Sequence, residues 1–320
     1  MATTSATAAS IDHVGAARLM KQATYASVGV AAVLIVAKVI AWGLTDSVAI
    51  LSSLLDSLLD AAASVVNLFA VRHALTPADR EHRFGHGKAE PLAGLAQSAF
   101  IAGSALLLLS EAIHRLVAPQ PVSHGLIGVA VMLFSIVATI ALVLFQRHVV
   151  ARTGSVAINA DSLHYRGDVL LNGSVIASIA LSVWLGWNWI DPAFGLAIGA
   201  YILFSAWRIT RISLNLLMDR ELPDFDRNRI RQIALAHPEI RNLHDLRTRS
   251  AGPDIFIQLH LEMNGDMTLR HAHEVSDRVE EEILLAYPNA EVIIHQDPEG
   301  VVERRKSFGQ RLARGPGDTP

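Results

Sequence analysis

Four stretches of the chain, residues 26–44, 92–110, 126–145 and 169–190, each run for 19 or more residues with a single charge among them, Lys38. About 20 apolar residues make a helix long enough to span the hydrocarbon core of a bilayer, where only a helix or a closed barrel satisfies its own backbone. Two further segments bring the expected helices to six. Residues 47–71 are apolar apart from Asp56 and Asp60, and residues 193–207 are uncharged but short enough to need flanking residues. The charges are distributed accordingly: of the 27 basic and 30 acidic residues, 33 lie from Ser213 onward and 24 serve the first 212 positions. Hydrophobic residues are 51% of the chain and charged ones 18%, against about 25% charged in soluble domains. Disorder and a single soluble core are both excluded, and a membrane-embedded first two-thirds with a soluble last third is expected.

Orientation follows from the connections. Arg18, Lys21, Arg72, Arg80, Arg83, Lys88, Arg147, Arg152, Arg208 and Arg211 fall on one side if six helices alternate, while the opposite connections have only Arg115 nearby. The positive-inside rule places the richer side, and both termini, in the cytoplasm. Residues 1–22 lack the pattern of a cleaved signal and are expected to stay attached. A net charge of −3 offers no electrostatic footprint for nucleic acid.

From Ser213 the texture changes to alternating charged and apolar residues. Residues 224–236 and 269–287 have helical periodicity, and 243–249, 254–263 and 291–295 read as strands, the first two flanking Ala251-Gly252-Pro253. The order is α-β-β-α-β. The expected division is a cytoplasmic N-terminal tail 1–21, a six-helix transmembrane domain 22–212, a cytoplasmic α+β domain 213–300 and a flexible C-terminal tail 301–320.

The chain has no Cys and 14 His, so any metal site must be built from imidazoles, carboxylates and amides. Asp56 and Asp60 are four apart, which puts both carboxylates on one helix face. His164 and Asp168 repeat that spacing on the fifth helix. Carboxylates in hydrocarbon are costly and normally face a polar interior, and three of them with one imidazole suit a divalent cation. At that depth they have no obvious Lys or Arg partner, and Lys38 reads as a residue that snorkels or pairs near the outer part of the first helix. Arg166 lies on another face of its helix. Asp161 reads equally well as a vestibule group or a solvated one. The connection between the second and third helices carries Asp79, His82 and His86 among Gly85 and Gly87, a spacing that fits an ion as well as it fits a hydrated basic loop. In the soluble third, His244, His260, His273 and the run His295-Gln296-Asp297 stand on strands or at element ends. His237 and His271 read as surface residues. An intramembrane hydrolase is disfavoured, since neither His-Glu-x-x-His nor Gly-x-Ser-x-Gly is present. A membrane-anchored metal sensor leaves the paired acids on membrane helices unexplained.

Several blocks in order resemble the cation diffusion facilitator family, in particular its bacterial members. They are residues 54–60, Pro77-Ala78-Asp79 with Phe84-Gly85-His86-Gly87-Lys88-Ala89-Glu90, residues 163–168, Asp245-Leu246-Arg247-Thr248-Arg249 and Ile293-Ile294-His295-Gln296-Asp297-Pro298. The resemblance implies a homodimeric multi-pass transporter of the bacterial inner membrane with a metallochaperone-like cytoplasmic domain, serving metal homeostasis and not an enzyme. It implies a transport site of Asp56, Asp60, His164 and Asp168, a loop site of Asp79, His82 and His86, and a binuclear cytoplasmic site of His244, His260, His273, His295, Gln296 and Asp297. Lys88 and Asp219 resemble an ion pair joining the two halves. The cargo implied is Zn(II), with Fe(II) and Cd(II) as further candidates and Co(II) and Mn(II) also compatible with the ligands. Zn(II) doubles as a regulatory ligand, protons are the counter-substrate and no organic cofactor is called for.

Overall fold

The computed structural model describes residues 13–46, 48–117, 126–185 and 189–300. The expected tail 301–320, most of the tail 1–21 and most of the two outer connections after the third and fifth helices lie outside the described residues. The chain divides into two compact units, Met1–Leu217 and Met218–Pro320.

The first unit consists of α1 (His13–Thr45), α2 (Val48–Ala74), α3 (Ala89–Val117), α4 (Leu126–Thr153), α5 (Val156–Leu185) and α6 (Ile190–Leu217). Among the described residues, five of these, all but α5, are long and apolar enough to cross a membrane. Their burial pattern is inverted relative to a soluble bundle. Large apolar side chains such as Leu107, Val137, Phe204 and Trp207 face outward, while Ser27, Ser64, Gln97, Gln146 and Asp161 are enclosed. That is the arrangement lipid demands, since polar groups find partners only inside the bundle.

α5 packs against all five other helices. A helix at the centre of the bundle meets little lipid, so its first half can carry Asp161, His164, Arg166 and Asp168. It also begins at Val156, well before the apolar stretch 169–190. Its first turn is held by the Val156 N–H donating to Glu90 Oε1 at 2.8 Å and the Ile158 N–H donating to Ser155 Oγ at 3.2 Å. α1 likewise starts earlier than the apolar stretch, inside the expected tail. Met20 and Ala23 are buried with Val71, Val149, Ala157 and Ile158, and this packing extends the helix through a stretch containing Arg18 and Lys21. α3 and α6 approach closely at small residues. A Cβ at Gly199 would stand 2.8 Å from side-chain carbons of Leu109, and one at Gly195 would stand 3.1 Å from the Cβ of Ala112.

The second unit is α7 (Asp224–Ala236), β1 (Ile240–Ala251), β2 (Asp254–Met263), α8 (Leu269–Ala286) and β3 (Ala290–Pro298), the order expected from the sequence. The sheet order is β1-β2-β3. β1 and β2 form an antiparallel hairpin turning at Gly252, whose φ of 62° is the left-handed conformation such a two-residue turn requires. β3 is parallel to β2 and is reached by the α8 crossover. Ile257, Leu259, Leu261 and Met263 line one face of β2 and pack with Ile230 of α7 and Val275, Val279 and Ile283 of α8. Strand alternation therefore sends Gln258, His260 and Glu262 to the opposite, uncovered face.

Candidate metal centres

The first centre lies between α2 and α5. His164 Nε2 is 2.8 Å from Asp60 Oδ1 and 3.9 Å from Asp168 Oδ2, and one ligand atom from each residue falls within 4.8 Å of the others. Asp56 is one helical turn from Asp60, outside this triad, and lines the same cavity of about 190 Å³ as Asp60 and Asp168. Three of the four expected side chains are thus already convergent, with the fourth at the cavity wall.

The expectation that these acids lack a basic partner at their depth is corrected by Lys38. It does not snorkel. Its ammonium turns inward from α1, donates to Ser53 O at 3.0 Å and Ser57 Oγ at 2.6 Å, and shares the cavity wall with Asp56, Asp60 and Asp168. Asp161 needs correcting as well, being 1% exposed and neither solvated nor in a vestibule. It accepts from Ser27 Oγ at 2.6 Å and Gln146 Nε2 at 2.7 Å, with Gln97 Nε2 at 3.4 Å and Ser64 Oγ at 3.5 Å. Those four donors come from α1, α4, α3 and α2, so this carboxylate ties every helix except α6 to α5. Arg166 reaches back to Ser162 Oγ of its own helix at 3.2 Å.

The second centre is the loop between α2 and α3. Asp79 Oδ1 accepts from the backbone N–H groups of His82 at 2.6 Å and Glu81 at 2.9 Å, which fixes a tight turn. Those donors, that of His82 above all, hold the Asp79 carboxyl below the usual carboxylate range. The turn directs His82 Nδ1 and His86 Nε2 to the same carboxylate, each at 3.4 Å, and Gly85 takes a φ of 74° that few other residues adopt. His73, not singled out from the sequence, sits with its ring centre 4.6 Å from that of His86.

The third centre is on the uncovered face of the sheet. His244 pairs with His260 across β1 and β2, and His260 with His295 across β2 and β3, so three imidazoles form a row. Successive ring centres are 5.0 and 4.6 Å apart. Asp297 gathers all three, at 2.8 Å from His260 Nδ1, 3.4 Å from His244 Nε2 and 3.1 Å from His295 Nε2. A register shift follows His244, where Asp245 has a φ of 49°; this bulge re-aims the end of the row. Two expected ligands are not brought to the row within one chain. Gln296 points to the helix side, because it alternates with His295 and Asp297, and donates to Ser276 Oγ of α8 at 2.9 Å. His273 stands exposed on α8 beside Asp277 at 3.4 Å. Glu262 was missed and lies 3.0 Å from His244 Nδ1; its even spacing from His260 on one strand was the available signal. Near the expected interdomain pair, Lys88 donates to Leu217 O at 3.4 Å and Asp219 accepts from Arg249 at 3.3 Å.

Residues 24–218 match the family model of the cation efflux transmembrane domain, and residues 222–299 match that of the cation efflux protein cytoplasmic domain. A protein of Klebsiella pneumoniae subsp. pneumoniae named cation-efflux pump FieF is 51% identical over 285 residues, covering 89% of this chain and 95% of that protein. Its namesake in Salmonella paratyphi A is 49% identical over 287 residues, covering 90% and 95%. Among solved structures, the Zn form of CzrB covers 27% of this chain and 99% of its own at 35% identity and a TM-score of 0.25. The metal-bound C-terminal domain of the Thermotoga maritima transporter CzcD covers 25% and 93% at 31% identity and a TM-score of 0.24.

Proposed function

The chain belongs to the cation diffusion facilitator family, a family of multi-pass efflux transporters of divalent metal cations and not of enzymes, and on that premise we propose that it exports Zn(II) from the cytoplasm in exchange for protons. The observation that carries this reading is the convergence of Asp60, His164 and Asp168 from two membrane helices, with Asp60 and Asp168 lining one cavity together with Asp56. Imidazole and carboxylate oxygens suit Zn(II), and accept Fe(II) or Cd(II), whereas Cu(I) prefers sulfur ligands. The transport site is Asp56, Asp60, His164 and Asp168.

The chemistry of the donors supplies the coupling. A metal binds the imidazole and carboxylates only when they have released protons, so affinity falls as protons arrive. A site that opens alternately to each side loads metal where protons are scarce and releases it where they are abundant. Asp79, His82 and His86 form a second metal site at the membrane surface. The sheet row of His244, His260, His295 and Asp297 is a regulatory Zn(II) site in the domain through which two copies pair; His273 and Gln296 complete it after a rearrangement or from the second copy. The protein sits in a bacterial inner membrane with both termini cytoplasmic, α5 crossing as the sixth span, residues 22–212 carrying transport and 213–300 dimerisation.

The test is zinc flux in liposomes containing the full chain. An opposing proton gradient should accelerate zinc movement several-fold, and a protonophore should remove that gain. Flux indifferent to the gradient would exclude proton exchange.

A further inference from the structure

Among the described residues lining the cavity, Lys38 is the basic one, and the transport reading leaves it without a task. It lies within the apolar stretch 26–44 of α1, it is 9% exposed, and a lone ammonium in such a place is costly. Its two hydrogen bonds go to oxygens of Ser53 and Ser57 on α2, on either side of Asp56. Asp56, Asp60 and Asp168 line the same cavity as the ammonium. The serines therefore hold the charge in the cavity without committing a carboxylate oxygen to it.

We propose that Lys38 is a tethered counter-cation of the transport site, setting its charge so that a divalent ion is bound neutrally and released readily. The inference rests on the reading that Asp56, Asp60, His164 and Asp168 hold the metal. With the imidazole neutral as a ligand, three carboxylates are offset by one ammonium and one divalent cation, leaving no net charge in the loaded cavity. Replacing the ammonium by an uncharged group leaves the loaded site with one negative charge in excess. Two physical consequences follow. The ammonium repels the incoming metal, which weakens binding and speeds departure. It also lets the occluded, loaded state form without an uncompensated charge in a low-dielectric interior.

The measurement is zinc flux against zinc concentration, at one fixed pH, for the full chain in liposomes as wild type, Lys38→Met, Lys38→Arg and Asp60→Asn. Lys38→Met should lower the half-saturating zinc concentration at least about tenfold, as expected for removing a unit charge from beside a divalent ion. It should also lower the maximal rate, because release slows. Lys38→Arg, which keeps the charge, should stay within about threefold of the wild type in both parameters, a margin small beside the charge effect. A Lys38→Met protein with an unchanged or raised half-saturating concentration overturns the proposal, including where the rate alone falls, which is what a merely structural lysine would give. Should Lys38→Met fail to fold, Lys38→Gln keeps a hydrogen bond to Ser57 and must show the same shift. Asp60→Asn reports on the underlying reading: if it transports normally, the metal site is elsewhere and the inference falls with it. Loss of flux in Asp60→Asn with no shift in Lys38→Met removes only the role of Lys38.

Discussion

The membrane centre and the sheet centre use the same two ligand types and assemble them by opposite routes. In the membrane unit each helix contributes a pair at four-residue spacing, Asp56 with Asp60 and His164 with Asp168, and the centre exists only where two helices meet. In the second unit three strands each contribute one imidazole, and the strand register alone sets the row His244, His260 and His295. A helix–helix contact can shift or tilt and so open or break its site, whereas a hydrogen-bonded ladder holds its ligands at fixed separation. The first arrangement suits cargo that must leave. The second suits a metal that stays, and its partly exposed side chains never place the ion in lipid.

The largest effect that contrast predicts is on flux. Asp60→Ala and Asp168→Ala should each lower zinc transport by about 100-fold or more while leaving a folded protein, as loss of one of four metal ligands would. Near-normal flux in either variant would break the comparison at once. Next comes Asp161, whose removal leaves up to four enclosed donors without their acceptor. Asp161→Ala should cost about 3 kcal/mol in unfolding measurements, and Asp161→Asn less. An unchanged melting temperature for Asp161→Ala would mean the five-helix knot is not holding the bundle.

The sheet centre should matter less for transport. His260→Ala with His295→Ala should reduce flux only about two- to fivefold, the scale of a population shift of under 1 kcal/mol, and should abolish zinc-induced protection of β1, β2 and β3 from hydrogen exchange. Complete loss of flux in folded dimers would mean the metal passes through this domain. In the wild type the same protection should disappear as the pH is lowered, because imidazoles must be neutral to bind metal. Protection that persists at the lower pH removes the imidazoles from the site.

The smallest effect belongs to the loop. Its Asp79 carboxyl sits below the ordinary range, so the ionised form and the turn it anchors are favoured at neutral pH and lost only as acid carries the solution down through that lowered value. Between about pH 5 and 8 Asp79 stays charged. Asp79→Asn should therefore weaken loop metal binding while changing flux less than about twofold, since the membrane ligands are intact. A large loss of flux would make the loop an obligatory relay.

Much of this was open to a reader of the sequence because local periodicity carries it. Apolar runs long enough to span a bilayer, the four-residue spacing of acids on α2, and the hairpin at Gly252 all follow from backbone geometry that acts over a few residues. Strand alternation already indicated that Gln296 lies on the face opposite His295 and Asp297, where it donates to Ser276 Oγ. What no local pattern contains is depth within the bundle. The sequence put Asp161 near water and left Lys38 to snorkel or pair near the outer part of the first helix, because hydropathy treats every charge as a cost and has no knowledge of neighbours.

Composition and periodicity by themselves determined that the chain has a helical membrane unit and an α-β-β-α-β unit, and which side chains are able to hold a metal. Tertiary structure decided which of them meet. It set α5 at the centre of the bundle, where enclosure converts Asp161 into a knot and brings Asp60 to His164. It turned Lys38 into the cavity through two serines of a neighbouring helix. It aligned three histidines separated by 16 and 35 positions through a ladder register that no single strand encodes. The physical reason is range: backbone propensity acts within a few residues, while burial and electrostatic pairing are settled only by groups that the fold brings together from distant parts of the chain.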